Sequence, residues 1–273
     1  METRELSYFV AVAEELHFGR AARRLGIAQP PLSRAIQKLE RRLGVRLFDR
    51  SARGVALTAA GEVLVREAGK ALDAVAAAER RTRRAGASGP RLVVAMKPGG
   101  DGGLLPDILA AYRERADAVE VEVVLCGVGE RAGLLRDGTA DVAFLHTPYE
   151  DLTGFDSEPL LVEGAVAVLP ARHRLAGRPF VHLADLDGEA MPRWKGRDGA
   201  LVGDSGRLMQ LIALGELVAV VPESVREQLR RDLVSVPVLD AEPTTVVLAW
   251  PEHTRSRALA AFVRTAATVA AAE

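Results

Sequence analysis

The 273-residue sequence predicts an α+β chain in three parts. Residues 1–58 form a small helical domain closed by a strand hairpin, residues 59–89 a long helix and hinge, and residues 90–273 an α/β body. Three observations predict this. Apolar residues fall at helical intervals through the first 50 positions. A 4-3-4-3-4 spacing then runs from Leu64 to Thr82. After Pro90, short apolar runs alternate with helical segments, the pattern of a mainly parallel sheet with its helices.

The first helix is read from Leu6, Phe9, Val10, Ala13 and Leu16. A short helical piece, Phe18 to Leu25, ends at Gly26. The next helix opens on Gln29-Pro30-Pro31, because a first turn tolerates the amide that proline lacks. It runs to about Leu43 with Leu32, Ile36, Leu39 and Leu43 on one face, and Gly44 stops it. RLFDRSARGVALT reads as two short strands about a turn at Arg53-Gly54. Thr58 is placed as N-cap of the long helix. In that helix Leu64, Ala68, Ala71, Val75 and Ala78 make a seam, mostly alanine, on which two helices can approach closely. Gly86-Ala87-Ser88-Gly89-Pro90 reads as a hinge.

In the body, RLVVAMK, VEVEVVLCGV and DVAFLH are strands, separated by the helices GLLPDILAAYRER and ERAGLLRDG. GAVAVLP opens a second run of the same kind. LMQLIALGELVAVVPESV gives a helix, Gly215, then a buried strand. TTVVLAW is a strand and SRALAAFVRTAATVAAAE a terminal helix.

The two short helices joined at Gly26-Ile27-Ala28 form a helix-turn-helix. The second buries Leu32, Ile36 and Leu39 and offers Ser33, Arg34, Gln37, Lys38 and Arg41 on its other face. Hydroxyls, an amide and cations at helical spacing suit base edges and phosphates in a major groove; an ordinary solvated face is the alternative. Arg50 and Arg53 on the hairpin can reach a flanking groove or backbone. Charge agrees. Residues 1–90 carry 17 Lys+Arg against 10 Asp+Glu, whereas residues 91–273 carry 19 against 27. A basic end on an acidic body fits a polyanionic partner, double-stranded DNA.

Other classes fare poorly. No apolar run is long enough to span a membrane. The acidic start METRELSYFVAVAEEL does not read as a secretory leader, so a cytoplasmic protein is expected. The lone Cys126 precludes an internal disulfide. His17, His146, His173, His182 and His253 lack metal-ligand spacing, and GGDGG lacks the Lys-Ser/Thr of a phosphate loop. Cys126 and His146 are the nearest approach to a nucleophile–base pair, but Cys126 ends an apolar strand. No enzyme, metal or cofactor is expected.

LHFGRAARRLGIAQPPLSRAIQKLERRLGVRLFDRSARGVALTAAGE resembles the DNA-binding domain of LysR-type transcriptional regulators. The matching features are AA-x-x-L, Gln29-Pro30-x-x-Ser33, Leu39-Glu40-x-x-Leu43-Gly44, Leu47-Phe48-x-Arg50 and Leu57-Thr58-x-x-Gly61. The resemblance implies a winged helix-turn-helix, a dimerising linker helix and a two-lobed, periplasmic-binding-protein-like effector domain. It implies dimers or tetramers on dyad-symmetric promoter sites, where RNA polymerase is a further partner. It carries Gln29, Pro30, Ser33, Arg34 and Arg53 over as DNA contacts, while Gln37 and Lys38 follow from helix geometry.

LLPDILAAYRER, LLRDGTADVAF, LVEGAVAVLPARHRLAGR and LIALGELVAVVPESV resemble the family's effector domain in the expected order. The implied ligand, a small molecule such as a carboxylate or other anion, sits between the lobes. Its expected contacts are Lys97, Pro98, Gly99, Gly100, Asp101, Gly127, Val128, His146, Thr147, Val202 and Gly203. Amides at the start of the helix after Gly103 can bind an anion; a turn that needs glycine only for its backbone shape is the alternative. The passage from Leu186 to Leu208 is shorter than the family's usual second lobe, which predicts a trimmed lobe. A regulator whose sensor no longer responds to a small molecule is therefore the second reading.

Overall fold

The computed structural model describes residues 1–51, 54–86, 89–192, 205–252 and 254–272. The chain divides into two compact units: residues 1–83 with 136–138, and residues 84–135 with 139–273.

In the first unit, helices α1 (Thr3–Glu15), α2 (Phe18–Arg24) and α3 (Gln29–Leu43) precede a hairpin of β1 (Phe48–Ser51) and β2 (Gly54–Leu57), and α4 (Ala59–Ala85) follows. Each start has a chemical cause. Glu2 and Glu5 form a capping box on α1. His17 caps α2, its Nδ1 accepting from the amides of Gly19 at 3.0 Å and Arg20 at 3.2 Å. The proline pair opens α3, and Gly44, at φ +71°, ends it. Phe9, Val12, Ala21, Leu32, Ile36, Leu39, Leu47 and Phe48 make the core, with the Phe9 and Phe48 rings 5.2 Å apart. Thr58 Oγ1 accepts from the Gly61 amide at 3.0 Å and donates to Arg46 O at 2.7 Å, so the cap of α4 is tied to the entry of the hairpin.

The second unit holds two sheets. The larger has the order β4 (Glu120–Leu125), β3 (Arg91–Met96), β5 (Val142–Thr147), β10 (Thr244–Pro251), β6 (Phe155–Glu163). Helices α5 (Leu105–Arg113) and α8 (Arg257–Ala270) pack on one face around Ile108, Tyr112, Phe144 and Phe262. The short α6 (Arg131–Arg136) covers the other through Leu135. The smaller sheet has the order β8 (Ala219–Pro222), β7 (Ala165–Pro170), β9 (Leu233–Val238). Helix α7 (Ser205–Ala213) packs on it through Leu208 and Ile212.

The expected mainly parallel sheet is corrected. Among the strand pairs of the described residues, only β3–β4 and β3–β5 are parallel. Strand β10 runs antiparallel to both β5 and β6, and the smaller sheet is antiparallel throughout. The cause is that the chain crosses between sheets twice, at Gly164 and between Val238 and Thr244, so β10 returns from the far side. Strands β6 and β9 escaped the sequence reading. β6 has no clean alternation of buried and exposed residues, and β9 carries Pro237, which an edge position tolerates. No helix among the described residues is long and apolar enough to cross a membrane.

Candidate nucleic-acid interface and effector pocket

Helix α3 is fixed by its apolar stripe: Leu32, Ile36 and Leu39 are fully buried. Geometry then forces Gln29, Pro30, Arg34, Gln37, Lys38 and Arg41 outward, with Ser33 half-buried beside them. Six of the seven are thus exposed on the helix that the sequence nominated. Glu40, on the inner edge, accepts from the amides of Leu47 at 2.9 Å and Phe48 at 3.2 Å and sets where the hairpin leaves α3.

Arg50 is held differently. Its guanidinium carbon lies 4.4 Å from the centre of the Phe18 ring, and Nη2 is 3.8 Å from Glu40 Oε2. It remains exposed and lines a surface hollow with Gln37, Glu40, Arg46 and Phe48. Arg53 lies outside the described residues. Arg42 reaches back to α1, its Nη2 2.6 Å from Glu5 Oε2. That bond, with the Glu2 amide, holds the Glu5 carboxyl down at about 2. The α1–α3 clasp escaped the sequence reading because its members stand 37 residues apart.

The linker seam splits. Ala68 is buried and Leu64 half-buried in the first unit's own core, alongside Val65 and Leu72. Ala71, Val75 and Ala78 are exposed. Ala68 is therefore corrected from a partner-facing to an intrachain position, because the early turns of α4 must cover the helical domain.

In the second unit the loop after β3 is folded on itself. The Gly100 amide donates to Lys97 O at 2.9 Å, and Leu104 N to Asp101 O at 3.2 Å. Asp101, buried, accepts from Leu105 N at 3.1 Å. One Asp101 carboxylate oxygen and its carbonyl thus take up the Leu105 and Leu104 amides at the start of α5. Gly99 sits at φ +65°, where an L side chain is strained, and the end of the Gln228 side chain lies 2.3 Å from where its Cβ would stand. Pro98 is exposed, and Gly127 and Val128 are half-buried; the Gly127 amide donates to Glu130 Oε2 at 2.7 Å. Thr147 is half-buried at the end of β5. Val202 and Gly203 lie outside the described residues.

Beneath this loop lies a buried cluster that the sequence did not reveal. Arg131, 2% exposed, donates from Nη1 to Phe144 O at 2.9 Å and from Nη2 to Glu150 Oε2 at 2.6 Å. The Glu150 carboxylate also accepts from the His146 amide at 3.0 Å. Burial pushes the Glu150 carboxyl up, but the hydrogen bond to His146 and the Arg131 charge outweigh it, and it stays below the usual range. His146 Nδ1 stands 3.2 Å from Arg131 Nη1. Burial drives its pKa down to about 4, so the ring is neutral near pH 7. His146, 4% exposed, thus packs against the ion pair. Cys126 Sγ lies 3.5 Å from Met96 O, so it and His146 are each turned to other partners.

Lys97 stands half-buried near this cluster. Burial, reinforced by the Arg131 charge, pushes its ammonium down to about 8, against the pull of Glu150 and Glu163. Glu163, at the end of β6, is buried; its Oε2 accepts from the Ser224 amide at 2.7 Å. Its Oε1 has no hydrogen-bond partner among the described residues, and neither has Arg131 Nε. No group of three His, Cys, Asp or Glu side chains that could hold a metal converges among the described residues.

Residues 3–62 match the profile of the bacterial regulatory helix-turn-helix protein, lysR family, and residues 85–201 match the LysR substrate binding domain. The chain is 31% identical over 280 residues to the uncharacterized regulator YnfL of Escherichia coli, covering 93% of each chain. It is 37% identical over 190 residues to the transcriptional regulator AlsR of Bacillus subtilis, a stretch of 69% of this chain and 63% of AlsR. Among solved structures it resembles full-length CbnR complexed with its target DNA, with 26% identity, a TM-score of 0.54, and coverage of 99% of this chain and 100% of that one.

Proposed function

The chain belongs to the LysR family of DNA-binding transcriptional regulators, and on that premise we propose that its first unit reads dyad-symmetric promoter DNA through α3 while its second unit responds to a small-molecule effector. The observation that carries the DNA assignment is α3 itself. Three fully buried side chains lock the helix, and Gln29, Ser33, Arg34, Gln37 and Lys38 stand on its free face. Arg34 and Gln37 reach base edges, Lys38 and Arg41 grip phosphates, and Arg50 steadies the hairpin against Phe18. The exposed Ala71, Val75 and Ala78 on α4 pair with a second copy, so that two α3 helices meet two half-sites. The reading places the protein in the cytoplasm with its DNA.

The effector assignment draws on the second unit. Its smaller sheet keeps its own core of Val166, Val168, Leu208 and Ile212, which supports a working lobe over a degenerate one. Among the described residues, the smaller sheet joins the larger through the crossovers at Gly164 and between Val238 and Thr244, and a ligand bound beside them can bias how the lobes close. Fluorescence anisotropy on the DNA upstream of the protein's own gene tests the DNA assignment. Binding that weakens steeply with salt, and weakens less on unrelated DNA than on the upstream site when Arg34 is truncated, is expected. Equal affinity for both DNAs overturns it.

A further inference from the structure

We propose that the effector is a zwitterion of the α-amino acid type, its carboxylate held by Lys97 and its ammonium by Glu163. This rests on the reading that the second unit takes a small-molecule effector.

Two charges beside the glycine loop are left without a partner among the described residues. Glu163 is 8% exposed, one oxygen is fixed by Ser224, and the other accepts nothing from any described residue. A buried carboxylate oxygen without a donor is costly. Lys97 makes no hydrogen bond or ion pair with any described residue. The two are within electrostatic reach of each other, since the Glu163 charge supports the Lys97 ammonium. Nearby, Arg131 is paired with Glu150, although its Nε has no partner among the described residues, and His146 is neutral. Lys97 and Glu163 Oε1 are left as a cation and an anionic acceptor without partners among the described residues.

The surroundings put both groups on one rim. A Cβ on Gly100 would meet Lys97 Cγ at 2.5 Å, so the lysine stem lies along the glycine loop. A Cβ on Gly102 would stand 2.9 Å from Leu161 Cδ2, two residues before Glu163. From the other lobe, Gln228 lies over Gly99, and Glu227 Oε2 approaches Gly103. The Glu223 amide donates to Gly164 O at 3.0 Å, and its carboxylate lies beside Gly164. The second-lobe wall is therefore acidic. A plain carboxylate would meet Glu163, Glu223 and Glu227 and leave the Glu163 oxygen unsatisfied. A plain amine would leave Lys97 unsatisfied. A zwitterion satisfies both and brings no net charge into a partly dry site. Glu163 also sits on the crossover from β6 to Gly164, so an ammonium bound there acts directly on the hinge.

The test is thermal melting and calorimetric titration of the full-length protein with the twenty standard L-amino acids. Each binder is compared with its des-amino acid and its decarboxylated amine. At least one amino acid is expected to raise the melting temperature while both its analogues fail. Glu163→Gln keeps the Ser224 contact and is expected to weaken that binding on the order of 100-fold, with unliganded melting and DNA affinity unchanged. Lys97→Met is expected to do the same. If no amino acid binds, or if a des-amino acid binds as tightly and Glu163→Gln leaves it unaffected, the inference is overturned. The two levels separate cleanly. A plain acid that binds through Lys97 and alters DNA protection refutes the zwitterion but keeps the effector reading. Intact DNA binding with no response to any small molecule refutes both.

Discussion

Replacing Gly61 by alanine tests the packing that aims the DNA-binding unit. An added Cβ would lie 2.2 Å from Leu47 O and 2.9 Å from Leu57 Cδ2. Contacts below 3.0 Å force something to shift, and ordinary contact begins near 3.4 Å, so α4 and the segment before β1 must part by about 1 Å. Neither neighbour gives easily. Leu47 is buried, its carbonyl accepts from Thr58 N at 3.0 Å, and its amide is held by Glu40. Overpacking of this kind costs about 1–3 kcal/mol, and straining the Thr58–Leu47 bond adds about 1 kcal/mol. A total of about 2–4 kcal/mol in a unit this small lowers its melting temperature by roughly 10 °C or more. Gly69→Ala is the control: it is helical, nothing lies within 4 Å of its Cβ position, and it stabilises by about 0.5–1 kcal/mol. Differential scanning calorimetry with both variants decides. A Gly61→Ala unit that melts within about 2 °C of wild type would refute the close approach of α4 to Leu47.

Further outcomes follow from the same geometry. Arg34→Ala costs about 1–3 kcal/mol on the cognate site and relaxes base preference at one position; an equal loss on all DNAs makes Arg34 a phosphate contact. Val75→Asp puts a charge on the exposed seam and yields monomers in sedimentation, whereas Ala68→Ser acts mainly on the first unit's stability; a Val75→Asp protein that stays dimeric removes α4 from the interface. Acid acts on the two units in successive windows. His146 has its folded pKa depressed from 6.5 to about 4, so its contribution is present above 6.5 and is lost as pH falls towards 4. Glu5 contributes above 4.5 and loses that contribution as pH falls towards 2. Urea midpoints followed by domain-specific probes check the order, and a His146→Gln protein is expected to lose less between pH 6.5 and 4.

What could be read from the sequence was what is local. The stripe of Leu32, Ile36 and Leu39, the stop at Gly44 and the Thr58 cap are decided within one or two turns of backbone, and they landed where expected. The α3 face followed from them. The seam was half legible: its spacing is real, but Ala68 was claimed by a core whose other members reach back to Leu6. The proposed effector site was least legible. Lys97 and the glycine loop announced themselves by composition. Arg131, Glu150 and Glu163 did not, because a lone acid or base in a surface-like segment gives no sign of burial until the strands have crossed. The antiparallel β10 was hidden for the same reason, since its direction is set by two crossovers rather than by its own residues.

The most direct test of the account is a footprint on the DNA upstream of the protein's own gene, repeated with Arg34→Ala. Two protected half-sites about one helical turn apart, or a multiple of it, with selective loss of protection in the variant, is the predicted result. Protection without dyad symmetry, or a variant footprint identical to wild type, would contradict the claim that a paired α3 reads the promoter.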